Sequence, residues 1–383
     1  MVKSGHQLEV VAPFDPAIIE DNPQLVPVHR FRYIWPRSLH LMGHGRSLVN
    51  DMQLHPLAYL LLPFYLLASF ITLMRVTSVQ RTDAIHAHWV IPNGLVAAWV
   101  ANLRNIPLII SLHGSDIFIA KDKAFFGVVA RWIFSRAMCV TACSPELHQV
   151  SLELGAPTNT KLIPWGVNPN IFRPDRKVSN RYSSLGITDS NIVITALGRL
   201  VKKKGFDVLI DAMPAIVNEA PQVHLLLCGN GVLNKQLHHQ AEVIGMKNHI
   251  TFMGNISWSD VPDFLANSDI FVLPSVRDKK GNIDGLPTVL LEAMSSGQAV
   301  VASNIGGVSL VIEDSKSGLL VNHQDPQALA DAILKLIHNI DLRHMMAQNA
   351  RHNVEMVFNW SKIAQCFTEL FESAAQQHQN SIT

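Results

Sequence analysis

From Arg81 onward the chain alternates short apolar runs with longer amphipathic ones, a strand–turn–helix rhythm that persists almost to its end. In the first half this rhythm predicts strands over 84–87, 108–112, 138–142 and 161–163, with helices over 94–103 and 125–137. Ser144-Pro145-Glu146 opens a further helix, with Ser144 as its cap and Pro145 at its first position. A polar stretch over 168–191, rich in proline and charge, reads as a linker. A second series follows, with strands over 192–197, 223–228, 250–253, 270–273, 299–302 and 319–321. Helices fit between most of these, the first over 206–217. Strands that alternate with helices build parallel sheets covered on both faces. The expectation is an α/β protein of two doubly wound parallel-sheet domains facing a cleft. Ligands of such sheets sit beyond the carboxyl ends of the strands.

One run breaks the rhythm. Residues 57–74 read LAYLLLPFYLLASFITLM, 18 residues without a charge, at the lower edge of what a membrane span requires. Pro63 interrupts the run, Arg75 closes it, and it stands alone. It reads as a buried or interface-lying helix rather than a span, which leaves peripheral membrane contact through 57–74 open.

Composition narrows the picture. The 383 residues are 48% hydrophobic and 16% charged, which excludes a disordered chain and fits two or three domains. A net charge of +1, from 31 Lys+Arg against 30 Asp+Glu, supplies no basic excess for a nucleic-acid partner. Cys139, Cys143, Cys228 and Cys366 form no second close pair to complete a zinc site, and read as buried thiols in a reducing compartment. The first residues lack the apolar core of a signal peptide. The expected location is cytoplasmic, at the inner face of a membrane if 57–74 touches one.

The loops after the strands hold the chemistry. Gly198-Arg199-Leu200-Val201-Lys202-Lys203-Lys204-Gly205 joins a strand to a helix. Gly198 lets the backbone turn, and Arg199 and Lys204 then project from the ligand end of the sheet. A guanidinium fork and an ammonium point charge suit a diphosphate. Cations at a helix N-terminus oppose its dipole, which itself points to an anionic partner. In Asp284-Gly285-Leu286-Pro287-Thr288, Pro287 fits the first turn of a helix. Open amides around Leu286, Thr288 and Val289 make an anion site. Glu292, more than a turn further, accepts two hydroxyl hydrogen bonds, as a ribose offers. Asp284, in the loop, is placed to hold a sugar hydroxyl.

His113-Gly114-Ser115-Asp116 follows a strand of the first domain, so His113 and Asp116 face the cleft. There His113 reaches a sugar hydroxyl or a phosphate oxygen. Gly229 and Gly231 permit close approach of a nucleotide, and Asn255 follows a strand where backbone groups meet a base edge. His86 and His88 share one strand face, but no third metal ligand accompanies them.

Over about 85–360 these residues resemble family 4, the "group 1" set, of retaining glycosyltransferases. The most specific parts are Gly198-Arg199…Lys204-Gly205 and Asp284-Gly-Leu-Pro…Glu292-Ala-Met; His113-Gly-Ser-Asp116 and the segment around Gly166 agree. The resemblance implies the GT-B fold of two Rossmann-like domains, here 1–167 on the acceptor side and 168–355 for the nucleotide sugar, with 356–383 crossing back. It implies that Arg199 and Lys204 bind the donor diphosphate, Glu292 the ribose and Asp284 the transferred sugar, while His113 lines the acceptor side. Three departures stand out. Asp284 replaces the usual Glu, Asn168 stands where Asp is common, and the family's first strand with its glycine loop is expected to be missing before residue 4.

The implied reaction moves a hexose-type sugar from a nucleoside diphosphate donor to a glycan or lipid-linked acceptor, with retention, in cell-surface polysaccharide or glycolipid synthesis. No two Asp residues stand two apart, so the Asp-x-Asp metal signature of the other large nucleotide-sugar fold is missing. No cofactor and no metal are expected, and Arg, Lys and helix amides meet the leaving-group charge. A sugar-nucleotide epimerase on the same frame, or a non-catalytic nucleotide-sugar-binding protein, are the alternatives.

Overall fold

The computed structural model describes residues 2, 5–16, 18, 26–42, 48–50, 53–54, 56–79, 81–279 and 281–382. Residue contacts divide the chain into two units, Met1–Ile163 with Ala364–Thr383, and Pro164–Ile363. The first division falls a few residues before the expected boundary at 167, and the return comes after 363 rather than 355.

In unit 1, β1 (Val10–Pro13) pairs in parallel with β2 (Val28–Phe31), and β3 (Leu48–Asn50) pairs antiparallel with β4 (Gln53–Leu54). The long apolar helix α1 (Pro56–Val79) follows, with Pro63 inside it. The main sheet is parallel, in the sequential order β5 (Ile85–His88), β6 (Leu108–Leu112), β7 (Cys139–Ala142) and β8 (Lys161–Leu162). Helices α2 (Leu95–Arg104), α3 (Ser115–Asp122), α4 (Ala124–Phe134) and α5 (Pro145–Glu153) make the crossovers. Every residue of β6 and β7 is buried, as strands covered on both faces require. The Ser144 side chain caps α5 by accepting from Leu147 N, and Pro145 sits at its start. α1 turns one stripe, Ala58, Leu61 and Tyr65, onto Phe31, Tyr33 and Met42. The Tyr65 hydroxyl anchors it by donating to Asn93 Oδ1 at 2.9 Å. Three cysteines are buried as expected; Cys366, on the last helix, is exposed.

Unit 2 is built on a parallel sheet from β9 (Ile192–Leu197), β10 (Val223–Cys228), β11 (Ile250–Gly254), β12 (Ile270–Leu273), β13 (Ala299–Ser303) and β14 (Leu319–Val321). The spatial order is β11-β10-β9-β12-β13-β14. The chain therefore winds outward one way from β9, then returns to β12 and winds the other way, which makes β9 and β12 the topological switch point. β9 pairs with β10 along its whole length, but with β12 only through Ile194–Ile270 and Thr195–Phe271. Helices α6 (Phe206–Glu219), α7 (Asn234–Val243), α8 (Val261–Ala266), α9 (Thr288–Ser295), α10 (Val308–Val311), α11 (Pro326–His338) and α12 (Ile340–Met356) surround the sheet. Leu209, Ile210, Ile216, Leu329 and Ile333 pack from α6 and α11 onto Leu225, Ile270 and Val301. α13 (Trp360–Ile382) begins in unit 2 and continues into unit 1.

The polar stretch 168–191 is no free linker. It belongs to unit 2, with Phe172, Tyr182 and Ile187 buried. Arg176 pairs with Asp263 at 2.8 Å, the Tyr182 hydroxyl donates to Phe264 O, and Ser295 Oγ donates to Phe172 O at 2.7 Å. Three apolar anchors spaced too irregularly for either a strand or a helix hold it down.

Backbone contacts in this unit generate a test. Gly205 has φ +66°, and a Cβ there would sit 1.9 Å from Pro274 O; Gly245 has φ +74° with nothing within 4 Å. Gly245→Ala should cost only the left-handed strain, about 1–2 kcal/mol. Gly205→Ala should cost at least about 3 kcal/mol, because a backbone must also move. Urea-unfolding midpoints check the difference; equal losses would show that the Gly205 loop yields freely.

Candidate functional site

The strongest cluster of charge forms at the switch point of unit 2. After β9, Lys202–Lys204 makes one 3₁₀ turn that Gly205 ends in a left-handed conformation, φ +66°. Val276 N donates to Lys203 O at 2.9 Å, so the loop after β12 grips the turn. The turn sends its three lysines different ways. Lys202 is exposed and pairs with Asp207 on α6. Lys203 and Lys204 point inward, where Lys203 Nζ lies 3.0 Å from Asp284 Oδ1 and Lys204 Nζ 2.7 Å from Asp284 Oδ2. Burial opposes ionisation of Asp284, but the Lys204 and Lys203 charges outweigh it and hold the carboxyl down to about 2. One carboxylate thus faces two ammonium groups.

Glycines make this packing possible, in a different way from the expected turn. Gly198 has ordinary φ; a Cβ there would lie 3.3 Å from Lys204 Cε, so the missing side chain makes room for the lysine stem. Gly229 and Gly231 meet backbone. A Cβ on Gly229 would fall 1.8 Å from Gly198 O, and one on Gly231 2.5 Å from Leu200 O. The loops after β9, β10 and β11 are thereby stitched in series, through Gly198 N to Cys228 O and Gly229 N to Gly254 O. Arg199 and Asn255 are exposed on these loops.

The second element is α9. Pro287 occupies its cap position rather than its first turn, and Thr288 starts the helix. Its first amides have no partner within the helix, which makes this end an anion site in waiting. Gly285, Leu286 and Pro287 are buried and Thr288 is exposed. Gly307 N donates to Gly285 O, fixing the approach to the helix. Glu292 sits on the second turn, where burial pushes its carboxyl up to about 7.

Unit 1 holds a second polar cluster, at the carboxyl ends of β5 and β6. His88 Nδ1 and His113 Nε2 share a hydrogen bond of 2.9 Å, and their rings stack 5.0 Å apart. His86 lies 2.7 Å from Ser111 Oγ, which in turn meets Thr141 Oγ1 at 2.6 Å. Burial pushes His86 and His113 down to about 3, and neighbouring imidazoles add to the effect, so both rings are neutral at ordinary pH. Phe367 and Phe371 of α13 cover His86. Among the described residues no group of three or more His, Cys, Asp or Glu stands close enough to hold a metal ion. The Asp116 backbone lies in α3, but its side chain is outside the described residues.

Of the residues singled out in sequence, the structure joins Lys204 to Asp284 directly and packs Gly198 on Lys204. Sequence reasoning missed Lys203, since nothing in a run of three lysines marks which two turn inward. It also missed His88 as a partner of His113. The only signal was that His88 ends one strand and His113 directly follows the next one in the chain.

Comparison with known proteins places the chain among relatives. Residues 180–353 match the family described as glycosyl transferases group 1, and residues 1–166 match the glycosyl transferase 4-like domain. A D-inositol 3-phosphate glycosyltransferase of Corynebacterium urealyticum is 32% identical over 312 residues, covering 76% of this chain and 71% of that protein. An uncharacterized glycosyltransferase of Methanocaldococcus jannaschii is 24% identical, covering 98% of this chain and 92% of its own. Among solved structures, Anabaena HepE in complex with UDP-glucose superposes with a TM-score of 0.70 at 25% identity, over 91% of this chain and 86% of that one.

The raised carboxyl of Glu292 has a measurable sign. An unfolded Glu releases its proton near 4.5, the folded one only near 7. Between those values the folded state holds the extra proton, so stability falls as pH rises toward 7. Glu292→Gln, which cannot ionise, should gain on the wild type by on the order of 5 °C in thermal midpoint between pH 5 and pH 8. A gap that stays constant across that range would show that Glu292 ionises like an exposed carboxyl.

Proposed function

The chain belongs to the group 1 glycosyltransferases of family 4, and we propose that it moves a hexose-type sugar from a nucleoside diphosphate donor to a hydroxyl of a glycan or lipid-linked acceptor, with retention of anomeric configuration. The observation that carries this reading is the Lys203–Asp284–Lys204 cluster at the switch point of unit 2. Both ammonium groups there contact the Asp284 carboxylate. A diphosphate brings more negative charge than Asp284 and competes for both. The nucleotide sugar in Anabaena HepE supports a nucleotide-sugar donor here.

In this reading the bond from the sugar's anomeric carbon to the diphosphate breaks, and the electron pair leaves with the diphosphate. Lys204, Lys203, Arg199 and the first amides of α9 meet the charge as it develops, which is where stabilisation accelerates a reaction. No divalent ion is required to meet that charge. The acceptor hydroxyl attacks the anomeric carbon, and its proton passes to the departing phosphate oxygen on the same face. Glu292, once ionised, accepts the two ribose hydroxyls. As lysines draw away to the phosphates, Asp284 is freed to take a hydroxyl of the transferred sugar. His113, neutral and hydrogen-bonded to His88, lines the acceptor side as an uncharged hydrogen-bonding group. Such a reaction serves the building of cell-surface polysaccharide or glycolipid.

The test separates the roles. With UDP- and GDP-sugars screened by thermal shift and the productive donor in hand, Lys204→Ala should cut turnover by roughly 100-fold or more, as loss of a charge acting in the transition state does. Glu292→Gln should weaken donor binding and remove its improvement between pH 6 and pH 8. Near-normal transfer by Lys204→Ala, or a trapped glycosyl adduct on the protein, would overturn the proposal.

A further inference from the structure

The α1 helix carries two apolar stripes, and the protein uses only one. Ala58, Leu61, Tyr65 and Ser69 are buried. Leu60, Phe64, Leu67 and Ile71 recur at helical spacing on another face and are between 51% and 68% exposed. A surface helix in water normally sets polar residues there. On α2, Trp99 and Leu103 stand one turn apart and are exposed too. The two helices enclose a groove of about 540 Å³, lined by Pro63, Leu67, Phe70, Trp99 and Leu103, with Asn102 its one polar side chain. Phe70 and Trp99 meet edge to face, with centroids 6.5 Å apart. Contiguous exposed apolar surface on this scale marks a docking site.

Charge says what docks. No acidic residue lies between Asp51 and Asp83, or between Asp83 and Asp116, so neither helix bears a negative charge. The exposed stripe of α1 ends on Arg75, one turn beyond Ile71, and Arg75 is exposed. Arg104, exposed at the end of α2, donates through Nη2 to Met74 O at 3.4 Å. The Arg104 guanidinium therefore reaches the backbone next to Arg75, where the apolar face stops. An apolar field bordered by cations and free of carboxylates matches an anionic bilayer surface, acyl region against the stripe and lipid phosphates against the arginines. A crossing helix would have to give up the buried stripe and the Tyr65–Asn93 hydrogen bond.

We propose that the α1–α2 face of unit 1 docks flat on an anionic lipid bilayer, with Leu60, Phe64, Leu67 and Ile71 among the acyl chains and one chain lodged in the Trp99 groove. This surface shares no residue with the donor cluster of unit 2, so the two stand or fall separately.

Co-sedimentation of the full chain with phosphatidylglycerol–phosphatidylcholine vesicles tests it. The wild type should bind. The triple variant Leu60→Ser, Phe64→Ser, Leu67→Ser should lose at least about 100-fold in partitioning, from the apolar area it no longer buries. Arg75→Gln with Arg104→Gln should weaken binding to these vesicles but not to pure phosphatidylcholine. Lipids brominated along the acyl chain should quench a part of the emission that Trp99→Phe removes. The altered side chains are exposed, and an unchanged thermal midpoint confirms that each variant is folded. No binding by the wild type, equal binding by the triple variant, or quenching unaltered by Trp99→Phe would overturn the proposal. So would self-association without vesicle binding that the triple variant relieves, since a second copy would then cover the face.

Discussion

A single mostly buried carboxylate, Asp284, holds two lysines in unit 2, and much of that unit is arranged so that it can. Alone, each charge would be costly to bury; together they compensate one another. The cluster needs the 3₁₀ turn that presents Lys203 and Lys204. That turn needs Gly205 in a left-handed conformation against Pro274 O, and Gly198 without a side chain under the Lys204 stem. Gly306, left-handed at φ +64°, lets its segment lie against the Asp284 carbonyl. These backbone approaches come from loops after different strands, so the site is specified by the sheet order as much as by the motif.

The two ionisable clusters differ in kind. In unit 2, opposite charges face each other and the carboxyl is driven to ionise. In unit 1, imidazoles face one another and hydroxyls, and burial drives them neutral. The first suits an anionic ligand; the second suits an uncharged polar one such as a hydroxyl-bearing group. Glu292 stands between these extremes, with its carboxyl near 7, so its charge is decided by what binds beside it.

Much of this was legible in sequence. Strands Leu108–Leu112, Ile192–Leu197, Val223–Cys228, Ile270–Leu273 and Leu319–Val321 stand where the apolar runs put them, because a buried parallel strand has no polar face to blur its edges. The likeness to the group 1 glycosyltransferases was equally plain from the spacing of Arg199, Lys204, Asp284 and Glu292. What sequence could not reveal depends on three-dimensional neighbours. Which two of the three lysines turn inward is bound up with Val276 gripping Lys203 from another loop. That 168–191 is packed rather than free depends on Asp263 and Phe264, far away in the chain. The double stripe of α1 is hidden because its apolar residues run all round the helix, and only the packing of Phe31 and Tyr33 shows which side is spoken for.

The pairing of β9 with β12 stops at Thr195 and Phe271, while β9 and β12 run on to Leu197 and Leu273. The ladder at the centre of the sheet thus ends two residues short of both strand ends, just below the lysine turn. Above the last rung the two arms are rejoined only through their loops, by Val276 N donating to Lys203 O and by Gly205 lying against Pro274 O. The lysine turn is thereby held by a loop-to-loop bond and not by the ladder itself, so its position answers to the β12 loop as much as to the strand that precedes it.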